Sequence, residues 1–182
     1  SVTIGNGVTS IGERAFLGDL SGNNFNVKNK LISVIIPDSV TSIGDFAFSG
    51  NGLTSVTIPN SVTHIGSLAF IENQLTSVTI GAGITSIGGL VFALNPIATF
   101  VFRGDRPREG VQPWYSSWLV LVAYCENNSG WPGASMAGIA PIADCDQDGV
   151  IDSEDTDDDG DGVADSDDLF PYDATETVDS DS

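Results

Sequence analysis

The sequence predicts a mainly β fold, a solenoid of stacked repeats with a period of about 22 residues that ends in an irregular acidic segment. Three observations predict it. Four segments align without gaps: "SVTIGNGVTSIGERAF" (1–16), "SVIIPDSVTSIGDFAF" (33–48), "SVTIPNSVTHIGSLAF" (55–70) and "SVTIGAGITSIGGLVF" (77–92). Their apolar residues fall in fixed columns, which is what stacked units sharing one core require. Net charge is concentrated at the C-terminal end. Residues 144–182 hold 17 of the 25 acidic residues and none of the 6 basic ones. The last three repeats start 22 residues apart, and the first interval is 32 because about ten residues are inserted after Phe16. A further strand, "IATFVF" (97–102), keeps the phase and then diverges.

Each element follows from its columns. In the third repeat Leu53, Val56 and Ile58 point inward from one short strand. Val62, Ile65, Ala69 and Phe70 fill the same layer on the return path. The columns recur at Leu75, Val78, Ile80, Ile84, Ile87, Val91 and Phe92. One repeat cannot bury such a face alone, whereas stacking makes it a continuous core. Phe16, Phe48, Phe70 and Phe92 are then expected to form an aromatic spine.

These residues resemble the BspA-type leucine-rich repeats, over residues 1–102, with a consensus close to "LTSVTIPxSVTSIGxxAFxxN". The next stretch, 103–143, is similar to the closing segment found after such repeats. The resemblance implies a leucine-rich-repeat solenoid on an exported or surface protein, with a role in adhesion or partner binding.

The outward positions suggest where a partner would dock. One column runs Thr3, Ile35, Thr57, Thr79, Val101, and its neighbour runs Ser1, Ser33, Ser55, Ser77. This weakly polar ladder suits a protein or glycan ligand, although Ser and Thr also simply suit exposed strand positions. The insertion 17–30 carries Lys28 and Lys30, and is either a recognition loop or a tolerated surface insertion. An "RGD" at Arg103–Asp105 and the lone histidine, His64, carry little weight, because short motifs recur by chance.

Composition excludes some functions. An acidic chain without clustered Lys or Arg offers nothing to nucleic-acid phosphates, so no nucleic-acid partner is expected. The longest apolar run, "WLVLVAY" (118–124), is far short of the roughly 20 residues of a membrane-spanning helix. One histidine with no nearby nucleophile, and no metalloprotease or phosphate-loop motif, lead us to expect no enzyme. The chain opens inside a repeat and closes on "TVDSDS", and is read as a fragment or processed form.

The acidic segment, 144–182, has a period of its own. Counted from Asp144, acids fall at positions 1, 3, 5, 9 and 12: Asp144, Asp146, Asp148, Asp152 and Asp155, with Gly149 at position 6. Counted from Asp157, the series is Asp157, Asp159, Asp161, Asp165 and Asp168, with Gly162 at position 6. Calcium takes six to eight oxygens at roughly 2.3–2.6 Å. Carboxylates at positions 1, 3 and 5 can converge on one point. The glycine permits the turn that brings in the position-7 carbonyl, here Val150 and Val163. A random acidic tail would not phase its glycines, so Ca2+ is the expected cofactor. No flanking amphipathic helices are evident. The segment instead resembles thrombospondin type 3 repeats, and "LFPYD" (169–173) fits that resemblance. The resemblance implies calcium-wrapped loops with little core.

A disulfide between Cys125 and Cys145 would staple the acidic segment to the solenoid, with two separate thiols as the alternative. Disulfide and calcium together would place the chain outside the cytosol, secreted or on the cell surface. The sequence thus reads as an extracellular non-catalytic binding module with a calcium-ordered linker. An accessory region of a larger secreted enzyme and a purely structural spacer are the alternatives.

Overall fold

The computed structural model describes residues 1–18, 31–104, 108–109, 121–124, 142–145, 151–152, 154–167 and 171. Among these the regular structure is all strand. Each repeat forms two short strands. They are β1 (Val2–Thr3) and β2 (Ser10–Ile11), β3 (Val34–Ile35) and β4 (Ser42–Ile43), β5 (Ser55–Ile58) and β6 (His64–Ile65), then β7 (Ser77–Ile80) and β8 (Ser86–Ile87). The series continues with β9 (Thr99–Phe102), β10 (Arg108–Glu109), β11 (Leu121–Tyr124) and β12 (Ile142–Ala143).

The strands make two parallel layers. One is ordered β10-β8-β6-β4-β2 and the other β12-β11-β9-β7-β5, while β1 and β3 pair separately. Register follows the repeat: Val56 stands beside Val78 and then Phe100, and His64 between Ser42 and Ser86. In the third and fourth repeats every inward column is buried, with Leu53, Val62, Ile65, Leu75 and Ile80 fully excluded from water, whereas Val8 of the first repeat is exposed and Val2, Phe16 and Val34 are half-buried. The expected spine is present. The rings of Phe16, Phe48, Phe70 and Phe92 stack at centroid spacings of 5.1, 5.1 and 5.6 Å, within 12° of parallel.

Two further columns explain the constancy of "Ile-Gly" and of the asparagine three residues after Phe48, Phe70 and Phe92. A Cβ at Gly44, Gly66 or Gly88 would lie 2.7, 2.5 or 2.6 Å from a backbone nitrogen of the preceding repeat, so only glycine allows that approach. Asn51, Asn73 and Asn95 are buried. The Asn73 amide donates to the carbonyls of Phe48 and Phe70 at 2.9 and 3.0 Å, and its Oδ1 accepts from the Leu53 N–H at 3.1 Å. Asn51 and Asn95 repeat the pattern, so the asparagines satisfy turn groups that water cannot reach.

The repeats do not simply stop where the columns fade. The Tyr124 carbonyl of β11 accepts from the Asp144 N–H at 3.1 Å, directly after β12. The first acidic loop therefore starts at the edge of the same sheet that carries the repeats.

Candidate metal centre and sheet face

The two acidic loops share a backbone pattern 13 residues apart. The N–H of position 2 donates to the carboxylate of position 9: Cys145 to Asp152 Oδ1 at 2.7 Å, and Asp158 to Asp165 Oδ1 at 2.8 Å. The N–H of position 9 donates to the carbonyl before position 1: Asp152 to Ala143 at 3.1 Å, and Asp165 to Thr156 at 2.9 Å. In both loops the position-9 aspartate therefore closes the ring.

The second loop shows what the ring encloses. Asp157, Asp159 and Asp161 bring one carboxylate oxygen each within 4.8 Å of one another. Carboxylate oxygens of the same three residues also fix the turn. Gly162 N–H donates to Asp157 Oδ2 at 3.1 Å, Asp161 N–H to Asp159 Oδ1 at 3.1 Å, and Val163 N–H to Asp161 Oδ1 at 2.7 Å. Gly162 has φ +96° and open space around its missing side chain, so the backbone conformation is what requires glycine there. Asp157 Oδ1 and Asp161 Oδ2 are buried and have no hydrogen-bond partner. Like charges at that spacing repel by about 3–4 kcal/mol per pair at an effective dielectric of about 20. A cation taking oxygen ligands removes that cost, and the donor set is all oxygen, as a hard divalent ion requires. Asp165 stands outside the trio.

In the first loop Asp144 and Asp152 are buried, and Asp155 Oδ1 accepts from the Thr156 and Asp157 N–H groups at 2.6 and 3.1 Å. Asp146, Asp148, Val150 and Asp168 lie outside the described residues. Cys145 is buried and disulfide-bonded, and Cys125 lies outside the described residues.

The outward ladder is partly open. Thr3, Ile35 and Thr57 are exposed and Thr79 is half-buried, but Val101 is buried and does not belong to an accessible face. Ala123, its register partner on β11, is buried too, so the sheet is covered at this end, where small and branched apolar residues suit it. A groove of about 460 Å³ lies on the open part, along β3 and β5 and reaching Thr79 and Arg103. His64 is exposed and its ring meets the Ser86 hydroxyl at 2.8 Å, in keeping with a surface variant. Residues 19–30 of the insertion and Asp105 of the "RGD" lie outside the described residues.

The comparisons address the repeats. The model of the BspA type leucine rich repeat region matches residues 19–106, in six copies. The match supports a BspA-type leucine-rich-repeat region over these residues. The match stops before the acidic loops. No curated protein and no solved structure matches the chain. The leucine-rich repeats point to protein binding, and among the described residues no helix is long and apolar enough to cross a membrane.

Proposed function

We propose that the chain is an extracellular, non-catalytic protein-binding module in which the leucine-rich-repeat solenoid presents the recognition face. The acidic segment binds calcium and serves as a metal-ordered linker or stalk. The observation that carries the calcium reading is the trio Asp157, Asp159 and Asp161, whose oxygens lie within 4.8 Å of one another, with Asp157 Oδ1 and Asp161 Oδ2 buried and without a hydrogen bond. The repeated closing bonds of Asp152 and Asp165 support a second, equivalent site in the first loop. A protein ligand is favoured over a glycan because no aromatic side chain, the usual platform for a sugar ring, lines the groove among the described residues.

Calcium titration of the full chain, followed by calorimetry, tests this. Binding with millimolar-range or tighter affinity is expected. Asp161→Asn keeps the turn bond to Val163 but removes a ligand charge, and should weaken the second site by at least about tenfold. A chain that takes up no calcium, or an Asp161→Asn variant that binds it as well as the wild type, would refute the assignment.

A further inference from the structure

The outer sheet has a gap. β3 and β5 belong to neighbouring repeats, yet among the described residues β3 pairs with β1 alone and β5 with β7 alone. In the other layer the same two repeats stay joined through β4 and β6. Part of the cause is in the sequence. Gly81 donates its N–H to the Ile58 carbonyl at 2.8 Å, and Arg103 donates to the Ile80 carbonyl at 2.9 Å. The residue in that column between β3 and β5 is Pro59, which has no N–H to give.

The backbone groups along the gap can be assigned. Ser33 and Ile35 turn their carbonyls to β1, where Val2 and Ile4 donate to them at 3.1 Å each. Groups alternate along a parallel strand, so the carbonyls of Val34 and Ile36 face the gap. On the other side Ile58 faces β7, so the Thr57 N–H faces the gap. The groove of about 460 Å³ is lined by consecutive residues, Ser33 to Ile36 and Ser55 to Asn60, as expected of two strand edges rather than one sheet face. Ile35 lies in it with 62% of its surface in water, the one aliphatic residue among the open ladder positions. Asp38 and Arg103 add one charge of each sign.

We infer that the gap between β3 and β5 is a docking site for a short extended polypeptide segment, held by main-chain hydrogen bonds to both strand edges. This rests on the protein-binding reading above and names its site and the class of partner. A strand in the gap gives its N–H groups to the Val34 and Ile36 carbonyls and accepts from Thr57. An apolar side chain covers Ile35, and a basic and an acidic one meet Asp38 and Arg103. Docking of this kind favours partners with an exposed edge strand or an unstructured stretch.

The test uses the full chain and a phage-displayed library of random linear dodecapeptides. In the free protein the Thr57 amide should exchange with solvent at least tenfold faster than the Thr79 amide. Enriched peptides should protect Thr57. They should lose at least tenfold in affinity both when one peptide amide is N-methylated and when the protein carries Ile35→Asp, an exposed change that leaves melting unaltered. Exchange of Thr57 as slow as that of Thr79 in the free protein overturns the open gap. Peptides that bind Ile35→Asp as well as wild type overturn the site while leaving protein binding intact. A library that yields no binder overturns the peptide ligand.

Discussion

In the repeat body each column meets its own copy one repeat away, and likeness stabilises: phenylalanine stacks on phenylalanine and asparagine bridges successive turns. In the acidic segment the same device sets like charges together, with three carboxylate oxygens within 4.8 Å. The body buries apolar surface and ties its buried turn carbonyls to Asn51, Asn73 and Asn95. The segment holds its turns by carboxylate-to-backbone bonds while carboxylate atoms of Asp157 and Asp161 stay buried without a hydrogen bond. One half carries its counterparts within the chain, and the other leaves buried carboxylate oxygens of Asp157 and Asp161 without a hydrogen bond, which is the ground for the calcium proposal.

The largest effect is expected from removing one layer of the spine. Phe70 is fully buried and stacks between Phe48 and Phe92. Phe70→Ala should cost about 3–5 kcal/mol, with or without calcium. Thermal or urea unfolding in chelator and in calcium checks both parts. A loss that calcium repairs would mean that the two halves do not stand on separate footings.

The spine and the strand columns were legible in the sequence because they obey a strict period, and periodic apolar residues have few other uses. The acidic spacing was legible for the same reason, down to the glycine at 162. Other features were not. The asparagines at 51, 73 and 95 recur every 22 residues, but a polar residue after a turn usually reads as solvent-facing. Their burial depends on carbonyls brought in by the neighbouring repeat. Val101 was placed on the open face by strand alternation, which says which way a side chain points and not what covers it. The gap beside β5 had a signal in Pro59. Pro37 occupies the same column and β1 still pairs with β3, so the residue alone does not decide the outcome.

A middle-sized effect tests how closely the repeats approach. A Cβ at Gly66 would press against the Asp45 backbone, whereas one at Gly12 meets nothing within 4 Å. Gly66→Ala should destabilise by about 1–3 kcal/mol, the range of an overpacked core, while Gly12→Ala stays within about 0.5 kcal/mol of wild type. Paired urea melts compare the two. Equal losses would mean that the glycine column serves chain flexibility and not repeat-to-repeat contact.

The smallest effect on the body is expected from chelation, and it locates the boundary between the two regions. Asp144 bonds to Tyr124, Asp152 bonds to Ala143, and Cys145 bonds to Asp152, so the first loop is tied to β11 and β12 by backbone groups. On the calcium reading, withdrawing the ion restores the mutual repulsion of the carboxylates, and the loop bonds should open first. The amides of Cys145, Asp152, Asp158 and Asp165 should then lose protection from exchange. Ile65 and Ile87, inside the body, should keep theirs, and the body's melting temperature should move by no more than about 2 °C. The edge strand β12 decides the point. If its amides open with the loops, calcium fastens the last strand of the sheet as well as the acidic segment. If they stay closed, the repeat body ends at β12 in its own right, held by the ladder to β11. Loss of protection at Ile65 or Ile87 would defeat both versions, because the core columns would then depend on an ion bound beyond the end of the repeats.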